Sequence, residues 1–222
     1  MRRLYHIWLS PACRTVRVAL AEKDLEFELV VEPYWERRDE FLALNPAGEP
    51  PVLIEADGAA VVGVEAIVEY LEDVYANRPL IGTAPLIRAE VRRLVAWFDV
   101  KFCREVTEYL HGEKFTKRFL HKQPPDSETV RAGLANIRGH LEYIGYLTDR
   151  RRWLAGDEFS LADIAAAAHL SVIDYLGDVP WERHEAARDW YARIKSRPSF
   201  RPLLADYVAG VPPPKHYADL DF

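Results

Sequence analysis

Residues 3–31 run as a β-rich segment, a helix signal and a second β-rich segment, and that order constrains the fold more than any other feature of the chain. Arg3 to Leu9 is short and rich in β-formers, which predicts a strand. Ser10-Pro11 follows. Serine is a favoured N-cap and proline a favoured first helical residue. Helical spacing then runs from Ala12 to Lys23, with Val16, Ala19 and Leu20 on one face. Glu26 to Val31 reads as the second strand. Two strands joined through a helix need a crossover, so they are predicted to be parallel.

The pattern then changes twice. Glu32 to Glu40, with Pro33, Tyr34 and Trp35, reads as a loop or an irregular helix. Asn45-Pro46-Ala47-Gly48-Glu49-Pro50-Pro51 is a dense turn cluster. Val52–Glu55 and Ala59–Val62 flank Asp57-Gly58, a hairpin signal, and Val64–Tyr75 reads as a helix. From Asn77 to Pro85 the chain is a linker, and every long segment after it is helical. Val91, Leu94, Val95, Phe98, Phe102, Val106 and Leu110 keep helical spacing from Leu86 to Leu110. Further helices are expected over 127–147, 182–195 and 200–207. Another opens at Phe159-Ser160-Leu161-Ala162-Asp163 and is apolar nearly all round, the mark of a buried helix. The end, from Val211 through Pro212-Pro213-Pro214, favours an extended polyproline conformation. The expected organisation is a domain over 1–78, a linker over 79–84, an all-helical domain over 85–208 and a Pro-rich tail over 209–222.

Composition removes several classes of function. With 49% hydrophobic and 29% charged residues, the chain has what a folded core needs. No run approaches the roughly 18 apolar residues of a membrane span, so membrane insertion is not expected. The basic Met1-Arg2-Arg3 start lacks the apolar core of a secretory signal. Cys13 and Cys103 are too few for a disulfide framework, which points to a reducing, cytoplasmic compartment. A net charge of −6 argues against nucleic acid as a general partner. The charge divides into −7 over 1–78, +5 over 79–155 and −4 over 156–222. That division either sorts acidic and basic faces or reflects solvated helix surfaces. No residue is predicted as a metal ligand.

These motifs together resemble the glutathione transferase fold. The resemblance rests on Ser10-Pro11-Ala12-Cys13-Arg14-Thr15-Val16-Arg17, on Asn45-Pro46-Ala47-Gly48 with Pro51, and on Gly156-Asp157 followed by Ser160-Leu161-Ala162-Asp163. It implies an α/β plus all-α architecture: an N-terminal thioredoxin-like βαβ-ββα domain, then an all-helical glutathione transferase C-terminal domain. It implies a cis-proline at Pro51 and an N-capping box at Ser160 and Asp163. It also places Ser10 where the family activates the glutathione thiol. Ser10 either does that or only caps the helix. Cys13 is either a redox-motif remnant, able to act as a thiol reductase, or a small buried hydrophobe. The family pairs the backbone of the residue before the cis-proline with glutathione. Here that residue is Pro50, which has no N–H. The positions that hold the γ-glutamyl end match Gly63 and Val64, which carry no polar side chain. The glutathione site is therefore expected to be degenerate and glutathione not to be a cofactor. A glutathione-dependent transferase or isomerase using Ser10 is the alternative.

Other residues fit a protein contact. Trp35, Arg37 and Arg38 place an aromatic and two cations in one charged loop, the composition of an interface anchor. The tail places Tyr217, Leu220 and Phe222 among Asp219 and Asp221, as a segment that docks on a partner or on its own fold. Arg88, Arg92, Arg93, Lys101 and Arg104 on the long helix are weaker candidates for steering an acidic partner. The loop, the long helix and the tail also resemble a division-associated branch of the superfamily. That resemblance implies a non-enzymatic homodimer, cytoplasmic and at the division site. Its partner would be FtsZ, whose filaments it would organise and curve to regulate constriction.

Overall fold

The computed structural model describes residues 1–220, so Asp221 and Phe222 lie outside it. The chain divides into two compact units, Met1–Leu80 and Ile81–Phe222.

In the first unit, β1 (Arg2–His6), α1 (Pro11–Glu22) and β2 (Phe27–Val31) form the predicted crossover. β1 and β2 pair in parallel, from Arg2 against Phe27 to His6 against Val31. β3 (Val52–Ile54) and β4 (Ala60–Val62) are the two strands of the hairpin, and both of their pairings are antiparallel. The sheet order is β2-β1-β3-β4. α3 (Val64–Val74) closes the unit. β1 stops at His6, three residues short of the sequence expectation. The chain turns at Trp8, whose carbonyl accepts the Arg14 guanidinium at 2.8 Å.

The 32–40 segment is a single 3₁₀ turn at Tyr34–Glu36, followed by α2 (Asp39–Leu44). α2 carries an apolar run from Phe41 to Leu44, of which Phe41 is the buried anchor. It packs on Val52 and Ile54, with Tyr5, Leu44 and Val62 around it. Burying a phenylalanine stabilises by about 1.5–3 kcal/mol, which helps to hold this six-residue helix on the sheet.

The second unit is helical. α4 (Pro85–Ala96) runs on without a break through residue 120. Beyond Trp97 the hydrogen bonds widen to i→i+5 over Trp97–Thr107 and again over Gly112–Leu120, on either side of α5 (Glu108–His111). The Glu108 N–H reaches the Cys103 carbonyl, and the His121 N–H reaches Thr116 at 3.3 Å. α6 (Ser127–Thr148) is capped by Asp126, which accepts from the Glu128 and Thr129 N–H groups. It crosses α5 closely at Gly133, where a Cβ would sit 2.9 Å from the Leu110 side chain.

α7 (Leu161–Tyr175) is the axis of this unit, and all fifteen of its residues are buried. Asp163 in its first turn is fully buried and takes donors from three directions. They are the Leu154 N–H at 3.0 Å, the Ser160 N–H and hydroxyl at 3.1 Å each, and the Trp190 indole at 2.9 Å. Burial pushes its carboxyl up while those donors oppose the shift. α8 (Glu185–Lys195) and the short α9 (Arg201–Leu204) complete the unit.

The tail packs back on α7. Tyr217 is fully buried, edge-on to Tyr175 at 5.1 Å, and its hydroxyl donates to the Leu203 carbonyl at 3.1 Å. His216 Nε2 lies 3.1 Å from Asp174, and Lys195 Nζ donates to the His216 carbonyl at 3.1 Å.

Candidate functional site

The register of the sheet brings the expected site residues of the first unit to one edge. Tyr5 pairs with Val52, Val52 with Val62, and His6 with Val31. The loop into α1, the turn before β3, the start of α3 and the loop after β2 therefore all leave the sheet at the same end. Two backbone bonds tie them together. Gly63 N–H donates to the Pro51 carbonyl at 3.1 Å, and Glu32 N–H donates to the His6 carbonyl at 2.9 Å. Asn45 sets up the turn: its amide donates to the Glu49 carbonyl at 2.7 Å and its Oδ1 accepts the Ala47 N–H at 3.1 Å. The Pro50–Pro51 bond that follows is cis.

This edge is poor in usable polar groups. Ser10 caps α1, accepting the Cys13 N–H at 3.3 Å. Cys13 is fully buried, and burial pushes its thiol up to about 11 despite the Ser10 bond and two nearby arginines. Burial and a raised thiol both disfavour the thiolate that the redox reading needs. Pro50 offers a carbonyl and no N–H. Gly63 caps α3 at φ +85, with no side-chain bond, and Val64 is the first helical residue. The space beside Gly63 is open, since a Cβ there would meet nothing within 4 Å. The backbone angle, not crowding, favours glycine at this position.

The loop after β2 divides its three candidates. Trp35 is 51% exposed and stands edge-on to Tyr34 at 5.4 Å. Arg37 is exposed in a left-handed conformation at φ 49. Arg38 pairs with the fully buried Glu32, its Nε at 3.2 Å. A buried carboxylate needs that cation, so Arg38 is a structural partner and less available to another molecule. Glu32 was not singled out from the sequence, where it is one of many loop carboxylates. Nor was Arg14, which is fully buried in α1.

The tail candidates also separate. Tyr217, expected to dock on a partner or on its own fold, has its ring and hydroxyl both enclosed by its own fold. Asp219 is exposed and Leu220 half-buried. Asp221 and Phe222 fall outside the described residues. Arg93 on the long helix pairs with Glu90 and also donates to the Tyr143 hydroxyl at 3.0 Å. Lys101 pairs with Glu105. Among the described residues, no cluster of three or more His, Cys, Asp or Glu is placed to hold a metal ion, and no helix is long and apolar enough to cross a membrane.

Known proteins share both the sequence and this geometry. The glutathione S-transferase N-terminal domain matches residues 4–79, and the glutathione S-transferase C-terminal domain matches residues 114–198. FtsZ-localized protein A of Caulobacter vibrioides is 50% identical over 224 residues, covering 100% of this chain and 98% of that protein. A crystal structure of a glutathione S-transferase from Rhodospirillum rubrum F11 is 61% identical with a TM-score of 0.98, covering 100% of both chains. The structure of FzlA from C. crescentus is 50% identical with a TM-score of 0.97, covering 100% of this chain and 99% of that one. Both halves match and the likeness runs from end to end: the chain belongs to the glutathione S-transferase family.

Proposed function

We propose that this chain is a non-enzymatic, glutathione transferase-like cell-division protein that binds FtsZ and organises and curves its filaments to regulate constriction. The observation that carries this reading is the 50% identity, over the whole chain, to a protein named for its localisation with FtsZ. The geometry of the first unit supports it. The sheet edge has lost the donor at Pro50 and the polar side chains at Gly63 and Val64, while the loop beside it exposes half of Trp35. A lost hydrogen bond to a charged ligand group costs about 1.5–3 kcal/mol. Two such losses weaken glutathione binding by orders of magnitude. The proposed contacts are Trp35 with Arg37, and the tail end at Asp219 to Phe222. The proposed state is a cytoplasmic homodimer at the division site. Two copies of one contact surface would bridge or bend a polymer by raising the effective concentration of the second contact.

Co-sedimentation with assembled FtsZ tests this. The purified chain is expected in the pellet with filaments and in the supernatant without them; a chain that stays in the supernatant in both cases ends the proposal. A second reading keeps one observation in its favour, Ser10 at the N-terminus of α1, where a helix end stabilises a thiolate. On that reading the chain is a glutathione-dependent transferase or isomerase. A rise in thermal midpoint with millimolar glutathione, together with turnover that Ser10→Ala abolishes, would establish it.

A further inference from the structure

β2 ends the sheet order, so one of its two backbone edges has no strand beside it. The register shows which groups that edge carries. The Glu32 N–H reaches the His6 carbonyl on β1 at 2.9 Å. Backbone groups alternate in direction along a strand. Glu28 and Val30 therefore also face β1, while the N–H and C=O groups of Phe27, Leu29 and Val31 point away from the sheet. Among the described residues, none of these outward groups has a hydrogen-bond partner. The opposite edge strand, β4, is shorter, three residues against five.

A row of unpaired backbone groups is a template for a further strand, and natural edges are commonly blunted by proline, lysine or a bulge. β2 has no proline and no lysine, and Glu28 is its single charge. Its pairing with β1 runs from Phe27 to Val31 with no residue skipped, so no bulge turns the edge away.

The two faces of β2 differ. Leu29 and Val31 stand beside Leu4 and His6 in the register, and both of those are fully buried. Leu29 is half-buried and Val31 is 47% exposed, so the apolar surface continues to the edge and stops there. On the other face Glu28 is exposed beside Arg3, and the two make no ion pair. Glu26, just before the strand, is exposed and also has no cation partner among the described residues. The remaining carboxylates of this stretch are taken: Asp24 pairs with Arg78, and Glu32 with Arg38.

We propose that the outer edge of β2 takes up an extended polypeptide as a fifth strand, with apolar side chains on the Leu29 and Val31 face and lysine or arginine on the Glu28 face. Main-chain bonds to Phe27, Leu29 and Val31 supply the affinity, and the alternating side chains select the partner. A cross-strand pair of opposite charge stabilises and one of like charge repels, so Glu28 favours a basic segment over an acidic one. β2 leads into the turn that exposes half of Trp35, so the edge is continuous with an exposed ring. The inference uses β2 alone and does not depend on the filament-binding reading.

The test uses the full-length chain and two acetylated, amidated six-residue peptides, one alternating lysine with valine and one alternating glutamate with valine. Amide hydrogen exchange reads the outward amides of Leu29 and Val31 directly. The lysine peptide is expected to bind saturably at millimolar concentration or below and to slow exchange at both residues at least fivefold. The glutamate peptide is expected to bind at least fivefold more weakly. Glu28→Lys, at an exposed position, is expected to reverse that order while keeping the thermal midpoint of the parent. The lysine peptide N-methylated at every amide is expected to leave exchange unchanged. The proposal is overturned if neither β2 amide slows, if the N-methylated peptide protects as well as its parent, or if the two peptides keep their order on Glu28→Lys. It is also overturned if exchange at Leu29 and Val31 slows with chain concentration alone, the mark of a second copy on this edge.

Discussion

Trp35→Ala is the sharpest test of the contact loop. A tryptophan side chain presents roughly 250 Å² to a partner or a core, and Trp35 is 51% exposed. About 125 Å² of ring is then available to a partner. At ~25 cal/mol per Å² its burial is worth about 3 kcal/mol, or roughly 100-fold in affinity. The other half of the ring packs within its own domain, so the substitution also lowers stability, by at most a similar amount. A control separates the two effects. Phe41→Leu, beneath α2 in the same domain, removes buried ring area at comparable expense to the fold and leaves the exposed loop residues untouched. FtsZ affinity is read by co-sedimentation over a concentration series, and stability by urea unfolding. The expected result is a roughly 100-fold loss for Trp35→Ala and less than threefold for Phe41→Leu. A loss under threefold for Trp35→Ala, or equal losses for the two variants, refutes the assignment of Trp35 as an anchor.

Three further outcomes follow from buried or paired groups. Asp163→Ala leaves the Leu154 and Ser160 N–H groups and the Trp190 indole without their acceptor; at ~1–3 kcal/mol for each orphaned donor, it is expected to destabilise by about 3–5 kcal/mol in urea, and a loss under ~1 kcal/mol contradicts the capping geometry. Cys13, with its thiol pushed up to about 11 by burial, is expected to resist iodoacetamide at pH 8 until the chain is unfolded; labelling within minutes under native conditions would show that the thiol is open and ionised. The Arg93 and Arg151 guanidinium groups bond the Glu90 carboxylate and hold it at about 2, below its ordinary value of 4.5. A carboxyl depressed in the folded state adds stability that is present above pH 4.5 and lost as pH falls toward 2. Carbon-detected titration is expected to show Glu90 ionised down to pH 3, and Arg151→Ala to move its midpoint upward.

Much of the fold is visible in local pattern, and the exceptions have physical causes. α7 is legible because two independent signals agree: a Ser-x-x-Asp start and an apolar run too continuous for a surface helix. α2 is not, because its apolar run Phe41 to Leu44 is too short to show a helical period and its anchor Phe41 is held by tertiary contact with Val52 and Ile54. The widened helix left a trace that helical periodicity alone misreads. Phe98, Phe102, Val106 and Leu110 recur every four residues and all are fully buried. In a regular α-helix each four-residue step overshoots one turn by ~40°, so the stripe would wind off the core within three steps. The wider i→i+5 turns over 97–107 carry more residues per turn, so each four-residue step there falls short of a full turn and offsets that drift.

The site residues divide along a different line. What a residue lacks can be read without coordinates: Pro50 has no N–H and Gly63 no side chain in any fold, so the loss of donors at the sheet edge follows once their positions are known. What a residue has available cannot be read in that way. Arg37 and Arg38 are adjacent, identical in type and both exposed, yet Arg38 is bound to a buried Glu32 and Arg37 is not. Tyr217 and Leu220 sit three residues apart in one tail, yet Tyr217 is enclosed against Tyr175 and Leu220 is half-buried. In each pair the deciding partner is brought in by the tertiary fold, from six residues away for Glu32 and forty-two for Tyr175. Availability is a property of the neighbour. Substitutions that remove the neighbour should therefore change the role of the candidate. Glu32→Gln is expected to leave the charge of the exposed Arg38 unneutralised and to make FtsZ binding, if it is steered by that loop's positive charge, stronger and more salt-sensitive, read as co-sedimentation at 50 and 200 mM salt. Unchanged binding at both salt concentrations would show that charge at Arg38 plays no part in the contact, leaving Trp35 and Arg37 as the loop's proposed contacts.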